Sequence, residues 1–307
     1  NATQGWVPTI DEAVTDVPVK LNTEGIFFGG MTPTKVGMTN LVSDAGVVAS
    51  DTAIVAGVTA RGEAGACEYG GDKGIIGFGN KGGSPPATAL TNLVSNAGVV
   101  ATDVTGVGTA RYSMGACSYG GDKGIFAWGG APNDIINLVS NAGVVATDTT
   151  SVGTPRWALA ACEYGGDKGI MGYGAISADR SSLTNLVSNT GVISSDVTGV
   201  GTARNYIMAC SYGEDKGIFG FGYTGSYTGV TNLVSNVGVV ATDVAAVGTA
   251  RGYGAACEYG EDKGIFGFGY TGSYQSITNL VSNAGVVATD VAGVGTARNY
   301  LAACSFN

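Results

Sequence analysis

Short apolar runs alternate along this chain with turn-forming residues, and the alternation repeats. Residues 251–297 carry one unit: an apolar run of small residues, GYGAACEY; a turn, GEDK; a second run, GIFGFG; a loop, YTGSYQSI; a third, TNLVSN; and, after a tight Asn/Ala/Gly turn, a fourth, GVVATDV, followed by a glycine-rich return. Nothing in the unit has the 3.6-residue period of a helix. The runs are strand-length, rich in β-branched and aromatic residues, and bounded by Gly, Asn and Asp, which predicts four short strands per unit.

The unit recurs in register. Cysteine stands at Cys67, Cys117, Cys162, Cys210, Cys257 and Cys304, spaced by 50, 45, 48, 47 and 47 residues, and Asn-Leu-Val begins at Asn40, Asn92, Asn137, Asn185, Asn232 and Asn279. A period of this length exceeds a leucine-rich repeat and suits a propeller blade. The expectation is an all-β, six-bladed β-propeller of four-stranded antiparallel blades. The first run of the unit ends at each of six cysteines, and the second begins at Gly25, Gly74, Gly124, Gly169, Gly217 and Gly264. The chain nevertheless opens on a second strand (25–30) and ends on a first one (301–306). The C-terminal strand, 301–306, is therefore expected to complete the N-terminal blade, 25–51, removing the exposed edges that closure abolishes. Residues 21–307 form the propeller in this reading. Residues 1–20, with Trp6 and the acidic Asp11, Glu12 and Asp16, form an N-terminal extension.

An Arg before the first strand, a strand of small residues, Tyr-Gly-Gly-Asp-Lys and Ile-Phe-Gly-Phe-Gly together resemble the kelch repeat, over nearly all of 24–307. The fourth strand departs from kelch: it lacks the usual Trp and reads Gly-Val-Val-Ala-Thr-Asp. The near-identical units of the type TNLVSNAGVVATDVTGVGTAR are similar to kelch-type arrays encoded by environmental, particularly marine, bacteriophages. That resemblance implies a virion or extracellular protein, such as a tail-fibre, spike or capsid-surface component.

Composition narrows the chemistry. The net charge of −9 and pI near 4.4 argue against nucleic acid, which needs a basic footprint, and against charge-driven binding to anionic membranes. No apolar run reaches the length of a membrane-spanning helix. The chain has no histidine, which excludes Ser-His-Asp and Cys-His catalysis and His-containing zinc sites. No cofactor is expected. The pattern GxGxxG occurs at 220–225 and 267–272, but no helix follows to cradle a phosphate.

The six cysteines share one register of the first strand, one per unit, so they read as small buried apolar residues rather than disulfide partners. The residue after each alternates strictly, Glu68, Ser118, Glu163, Ser211, Glu258, Ser305, which suggests growth by copying a two-blade unit. Glu68, Glu163 and Glu258 are a candidate for a cation in a central channel, where oxygen ligands suit Ca²⁺ or Mg²⁺, against the plainer reading of hydrogen-bonded or solvated rim charges. Asp and Arg also recur, Asp103 with Arg111, Asp148 with Arg156, Asp243 with Arg251. Repetition in every unit marks structure rather than catalysis.

Two segments vary between units: the loop joining second and third strands, and the few residues after each Arg. In an up-and-down blade both lie on one face. They carry the candidate binding residues Trp128, Trp157, Tyr206, Tyr223, Tyr227, Tyr253, Tyr270, Tyr274 and Tyr300. Aromatic rings with a polar tip, held on loops of a rigid scaffold, suit recognition. The expected function is thus a non-enzymatic binding or structural module that recognises a surface glycan or a neighbouring protein, other virion proteins included. The alternatives are a carbohydrate-active enzyme relying on an unrepeated acid such as Asp134 or Asp179, and an intracellular kelch-type adaptor that binds a peptide.

Overall fold

The computed structural model describes residues 23–130 and 134–307. The predicted extension at 1–20, and the centre of one variable loop at 131–133, lie outside them. The described chain is all-β, without a helix, in small antiparallel sheets.

Six sheets follow one plan. The inner strands are Gly65–Tyr69, Gly115–Tyr119, Ala160–Tyr164, Met208–Tyr212, Ala255–Tyr259 and Ala302–Phe306. Each pairs with a middle strand that begins two residues before an Ile, as in Lys73–Gly77 and Lys123–Ala127. The third strand carries Asn-Leu-Val, as in Thr91–Val94 and Ile135–Val139. The expected joining of the ends is present. Ala302–Phe306 pairs with Glu24–Phe28, with Cys304 opposite Ile26, and Glu24–Phe28 pairs in turn with Met38–Val42.

The fourth strand is weaker than predicted. Among the described residues only Thr52–Ala53 and Thr149–Thr150 form a continuous pair with the third strand. Elsewhere isolated bridges such as Val94↔Val100 and Thr91↔Val104 take its place. In every unit the third-strand asparagine bonds the outer segment through its side chain: Asn92 donates to the Ala101 carbonyl and the Asp103 carboxylate, both at 2.9 Å, and Asn40 and Asn137 make the same bonds in the two units whose outer pair is continuous. In the preceding turn the two valines of Gly-Val-Val alternate as strand residues should: Val99 is exposed and Val100 buried.

The inner strands touch one another in a cyclic order. Gly65–Tyr69 meets Gly115–Tyr119, and contacts continue through Ala160–Tyr164, Met208–Tyr212 and Ala255–Tyr259 to Ala302–Phe306, which meets Gly65–Tyr69 again. Along each inner strand the cysteine points between sheets, and all six cysteines are buried and outside any disulfide. Glycine is what admits them. A Cβ on Gly25 would stand 2.6 Å from Cys257 Sγ, and one on Gly264 would stand 2.5 Å from Cys210 Sγ. The glycine opening each middle strand thus receives the sulfur of the preceding sheet.

One step along, the fit between sheets is a matched pair of sizes. A Cβ on Gly77 would lie 2.7 Å from Cζ of Phe126, and Gly220 meets Phe266 in the same way. Where Phe28 fills the glycine position, the facing residue shrinks to Ile76. Where Ala127 fills it, the facing residue is Met171. Interiors packed to crystal density require such compensation.

The recurrent Asp and Arg are structural, but the partners differ from those adjacent in sequence. Asp103 is joined to Arg61 at 3.8 Å, not to Arg111. Asp148 accepts from Thr109, two residues before Arg111, and Asp243 from Thr202, two residues before Arg204. Each Asp is therefore held by the segment that enters its own sheet from the previous one. Arg61 is fully buried, donates from Nε to the Phe78 carbonyl at 2.8 Å and from Nη2 to Asn92 Oδ1 at 2.5 Å, and lies 5.2 Å over the Phe28 ring of the preceding sheet. Desolvation lowers its pKa to about 10, against the pull of Asp103, and leaves it charged near neutrality. Burial pulls Asp103 upward, but hydrogen bonds from Thr59 and Asn92 outweigh it and hold the carboxyl below its ordinary value. The same arginine–ring stack recurs at Arg111 over Phe78, Arg156 over Trp128, Arg204 over Tyr173, Arg251 over Phe221 and Arg298 over Phe268.

Candidate functional site at the aromatic face

Two residues beyond each buried arginine the backbone becomes left-handed. Glu63, Ser113, Ala158, Tyr206, Tyr253 and Tyr300 have φ between 52° and 63°. Six non-glycine residues in this region need a compensating constraint. A cycle of backbone hydrogen bonds supplies it. The N–H of Ser113 donates to Glu63, Ala158 to Ser113, Tyr206 to Ala158, Tyr253 to Tyr206, Tyr300 to Tyr253 and Glu63 to Tyr300, at 2.7–3.0 Å. These six residues ring the mouth of a cavity of about 80 Å³, whose floor residues, Ala64, Met114 and Leu159 among them, also line a channel running between the inner strands.

The mouth is asymmetric. Tyr206, Tyr253 and Tyr300 occupy three consecutive positions, with ring centroids 3.8 Å apart for Tyr206–Tyr253 and 4.8 Å for Tyr253–Tyr300. Trp157 joins at 5.5 Å from Tyr206. Outward, Tyr227 and Tyr270 contact Tyr253 at 6.3 and 6.4 Å, and they carry Tyr223 and Tyr274 beside them. Eight of the nine predicted aromatics therefore form one connected, half-buried network. Burial first, and neighbouring phenols second, push the Tyr253 and Tyr300 hydroxyls well above the ordinary tyrosine range, so they act as neutral donors and acceptors.

Trp128 is the exception and is corrected here. It is fully buried in a core cluster, donates from Nε1 to Ser151 Oγ at 2.7 Å and lies beneath Arg156. It stands where Phe78 and Phe221 stand in other units, so its ring fills the arginine stack and faces no ligand.

The opposite half of the mouth holds Glu63, which the sequence reading did not single out. Its carboxylate accepts from Ser113 Oγ at 2.8 Å, from Asn80 Nδ2 at 3.1 Å and from Lys35 Nζ at 3.4 Å. Lys35 also lies 5.6 Å over the Tyr300 ring. On the outer side, Arg180 covers Tyr223 at 4.9 Å. Aligning the units on the arginine would have found Glu63, because the position two residues on reads Glu, Ser, Ala, Tyr, Tyr, Tyr in successive units.

Glu68, Glu163 and Glu258 do line the channel, on alternate inner strands. Serines stand between them: Ser118 Oγ donates to Glu68 Oε2 at 3.4 Å, and the N–H groups of Glu163 and Glu258 donate to Ser211 and Ser305. Among the described residues no group of three or more Cys, Asp or Glu is placed to hold a metal ion. Glu163 and Glu258 are buried, and the three channel carboxylates form no such group. Asp134 and Asp179, the acids an enzymatic reading would need, are both exposed. Neither a family model nor a curated protein matches the chain.

Proposed function

We propose that the six sheets are blades of a six-bladed, kelch-like β-propeller, and that the protein is a non-enzymatic recognition module working on a virion or at another extracellular surface. Its ligand is a glycan, bound at the tyrosine-rich face. Support for the propeller comes from the cyclic order of inner-strand contacts together with the pairing of the terminal strands. An experimental structure in which the six sheets failed to close around one axis would refute it.

One observation carries the binding reading: the eight-membered aromatic network occupies one side of the channel mouth and, among the described residues, is not repeated on the other side. A feature needed for folding would recur in every unit, as the buried arginine does. Tyrosine and tryptophan offer large rigid surfaces that stack on the apolar face of a sugar ring while their polar tips bond its hydroxyls. The test is a glycan array probed with the purified protein and with a Trp157→Ala, Tyr227→Ala double variant. Specific binding lost in the variant supports the reading. A blank array overturns it.

A further inference from the structure

The structure assigns a second task to the mouth: it is a subsite for a protonated primary amine carried by the bound glycan. The inference rests on the glycan reading and names the group that gives it selectivity.

The six equivalent positions at the mouth are not alike. Three are tyrosines, two are the small Ser113 and Ala158, and one is Glu63. Ser113 and Ala158 leave room beside the carboxylate, while the tyrosines wall the other side of the cavity. Glu63 does not swing freely. Ser113 and Asn80 hold both of its oxygens, and its side chain is only 12% exposed. A carboxylate fixed beside aromatic faces suits an ammonium group, since the charge takes one hydrogen and the rings attract the rest of the cation. A neutral hydroxyl gains the hydrogen bond without the charge, and an N-acetyl group brings no charge and needs more room. The cavity, at about 80 Å³, accepts an amine with its adjoining carbon while the sugar ring itself stacks on the tyrosines outside.

The chain already places one such group there. Lys35, on the short hairpin Met31–Thr32/Thr34–Lys35, sets its ammonium 3.4 Å from Glu63 Oε1 and over the Tyr300 ring. Its side chain is 15% exposed, so it reaches in from the rim, and a ligand amine would displace it. The net charge of −9 further favours approach of a cationic ligand over an anionic one.

The test compares three tetrasaccharides by calorimetry: one of glucosamine with free amines, one of N-acetylglucosamine, and one of glucose. The native protein should prefer the free amine by about tenfold, the scale of one well-placed ammonium contact. Glu63→Gln, which keeps the size of the side chain, lets Oε1 accept from Asn80 and turns the Ser113 contact into a bond donated by Nε2, should erase the preference without abolishing binding. Lys35→Ala removes the internal competitor and should raise affinity for the free amine alone. Tyr253→Ala should weaken all three sugars. Equal binding of the amine and N-acetyl forms, a preference that survives Glu63→Gln, or weaker amine binding in Lys35→Ala would each overturn the inference while leaving the glycan reading intact. No binding of any sugar here, with a blank array, would remove both.

Discussion

Thr296 and Asp51 lie 245 residues apart in sequence, and both the N–H and the hydroxyl of Thr296 donate to Asp51 Oδ2, at 2.9 and 2.6 Å. Beside them Arg298 Nη1 stands 3.7 Å from Asp51 and Nη2 donates to Asn40 at 2.6 Å. The same contacts elsewhere tie one unit to the next; here they tie the last to the first. Asp51→Ala should therefore do more than remove one latch. It leaves the guanidinium of Arg298 buried beside the seam, at a cost of about 1–3 kcal/mol because Asp51 itself is partly exposed. Hydrogen exchange should then accelerate first along Ala302–Phe306 and Glu24–Phe28. An Asp51→Ala protein with unchanged stability and seam protection would mean that strand pairing alone closes the ends.

Acid should loosen all six latches together. Asp51, Asp103, Asp148, Asp196, Asp243 and Asp290 are each pulled up by burial but held below the ordinary value by a threonine, an asparagine and the nearby arginine. A carboxyl whose folded pKa is depressed binds fewer protons folded than unfolded, so its stabilisation is complete above the unfolded value, about 4, and is lost as pH falls through the folded one. Denaturant midpoints should be flat from pH 7 to about pH 5 and then drop steeply below about pH 4. A midpoint as high at pH 3 as at pH 6 would contradict the latch account.

How the latches are wired could not be read from proximity along the chain, although the repeat itself could. The six cysteines and six Asn-Leu-Val segments fix the number of units, and the orphan strands at the two ends fix their pairing, because a strand needs a partner and each orphan lacked the one the other supplied. A repeat reveals what recurs but not which neighbour it touches. Asp103 stands nearer in sequence to Arg111, yet space gives it to Arg61. The outer strand was over-read because propensity counts all of Gly-Val-Val-Ala-Thr-Asp as strand, whereas isolated bridges such as Val94↔Val100 are what form there. Aromatic content marked Trp128 as a surface residue, where only alignment with Phe78 would have shown it as the ring beneath an arginine. Glu63 and Lys35 escaped notice because charge on a loop looks like ordinary solvated charge until folding brings Glu63 to the channel mouth and Lys35 beside it.

The cysteine–glycine seam gives a direct steric test. Gly25→Ala places a methyl 2.6 Å from Cys257 Sγ, too close for either atom to stay put. The single variant should lose about 1–3 kcal/mol, as overpacked cores do. Adding Cys257→Ala removes the sulfur and leaves the Glu258 carbonyl, at 3.1 Å, as the nearest atom. The double variant should recover much of the loss, and denaturation of all four members of the cycle measures the coupling. Simple additivity would mean that the two residues do not press on each other.

The first sheet reverses the size pattern. In most units a glycine ends the middle strand and a Phe of the next sheet fills the space above it, as Phe126 does over Gly77. Between Glu24–Phe28 and Lys73–Gly77 the bulk has moved across: Phe28 is large, Ile76 is small, and both are fully buried. Ile76→Phe alone sets two rings into space built for one and should destabilise the protein by about 1–3 kcal/mol. Phe28→Gly alone empties that space and should cost about 3–5 kcal/mol, the range for deleting a buried ring. Together the two substitutions restore the Gly–Phe pair of the Gly77–Phe126 seam but not its arginine stack, since Gly29 stands where Phe78 does and Phe28 is the ring beneath Arg61, so the double variant should recover part of the loss and be more stable than Phe28→Gly alone. If it proves instead as unstable as the sum of its parts, the six seams are not interchangeable, and the first sheet has been shaped by something other than volume, with the arginine stack of Arg61 on Phe28 the nearest cause.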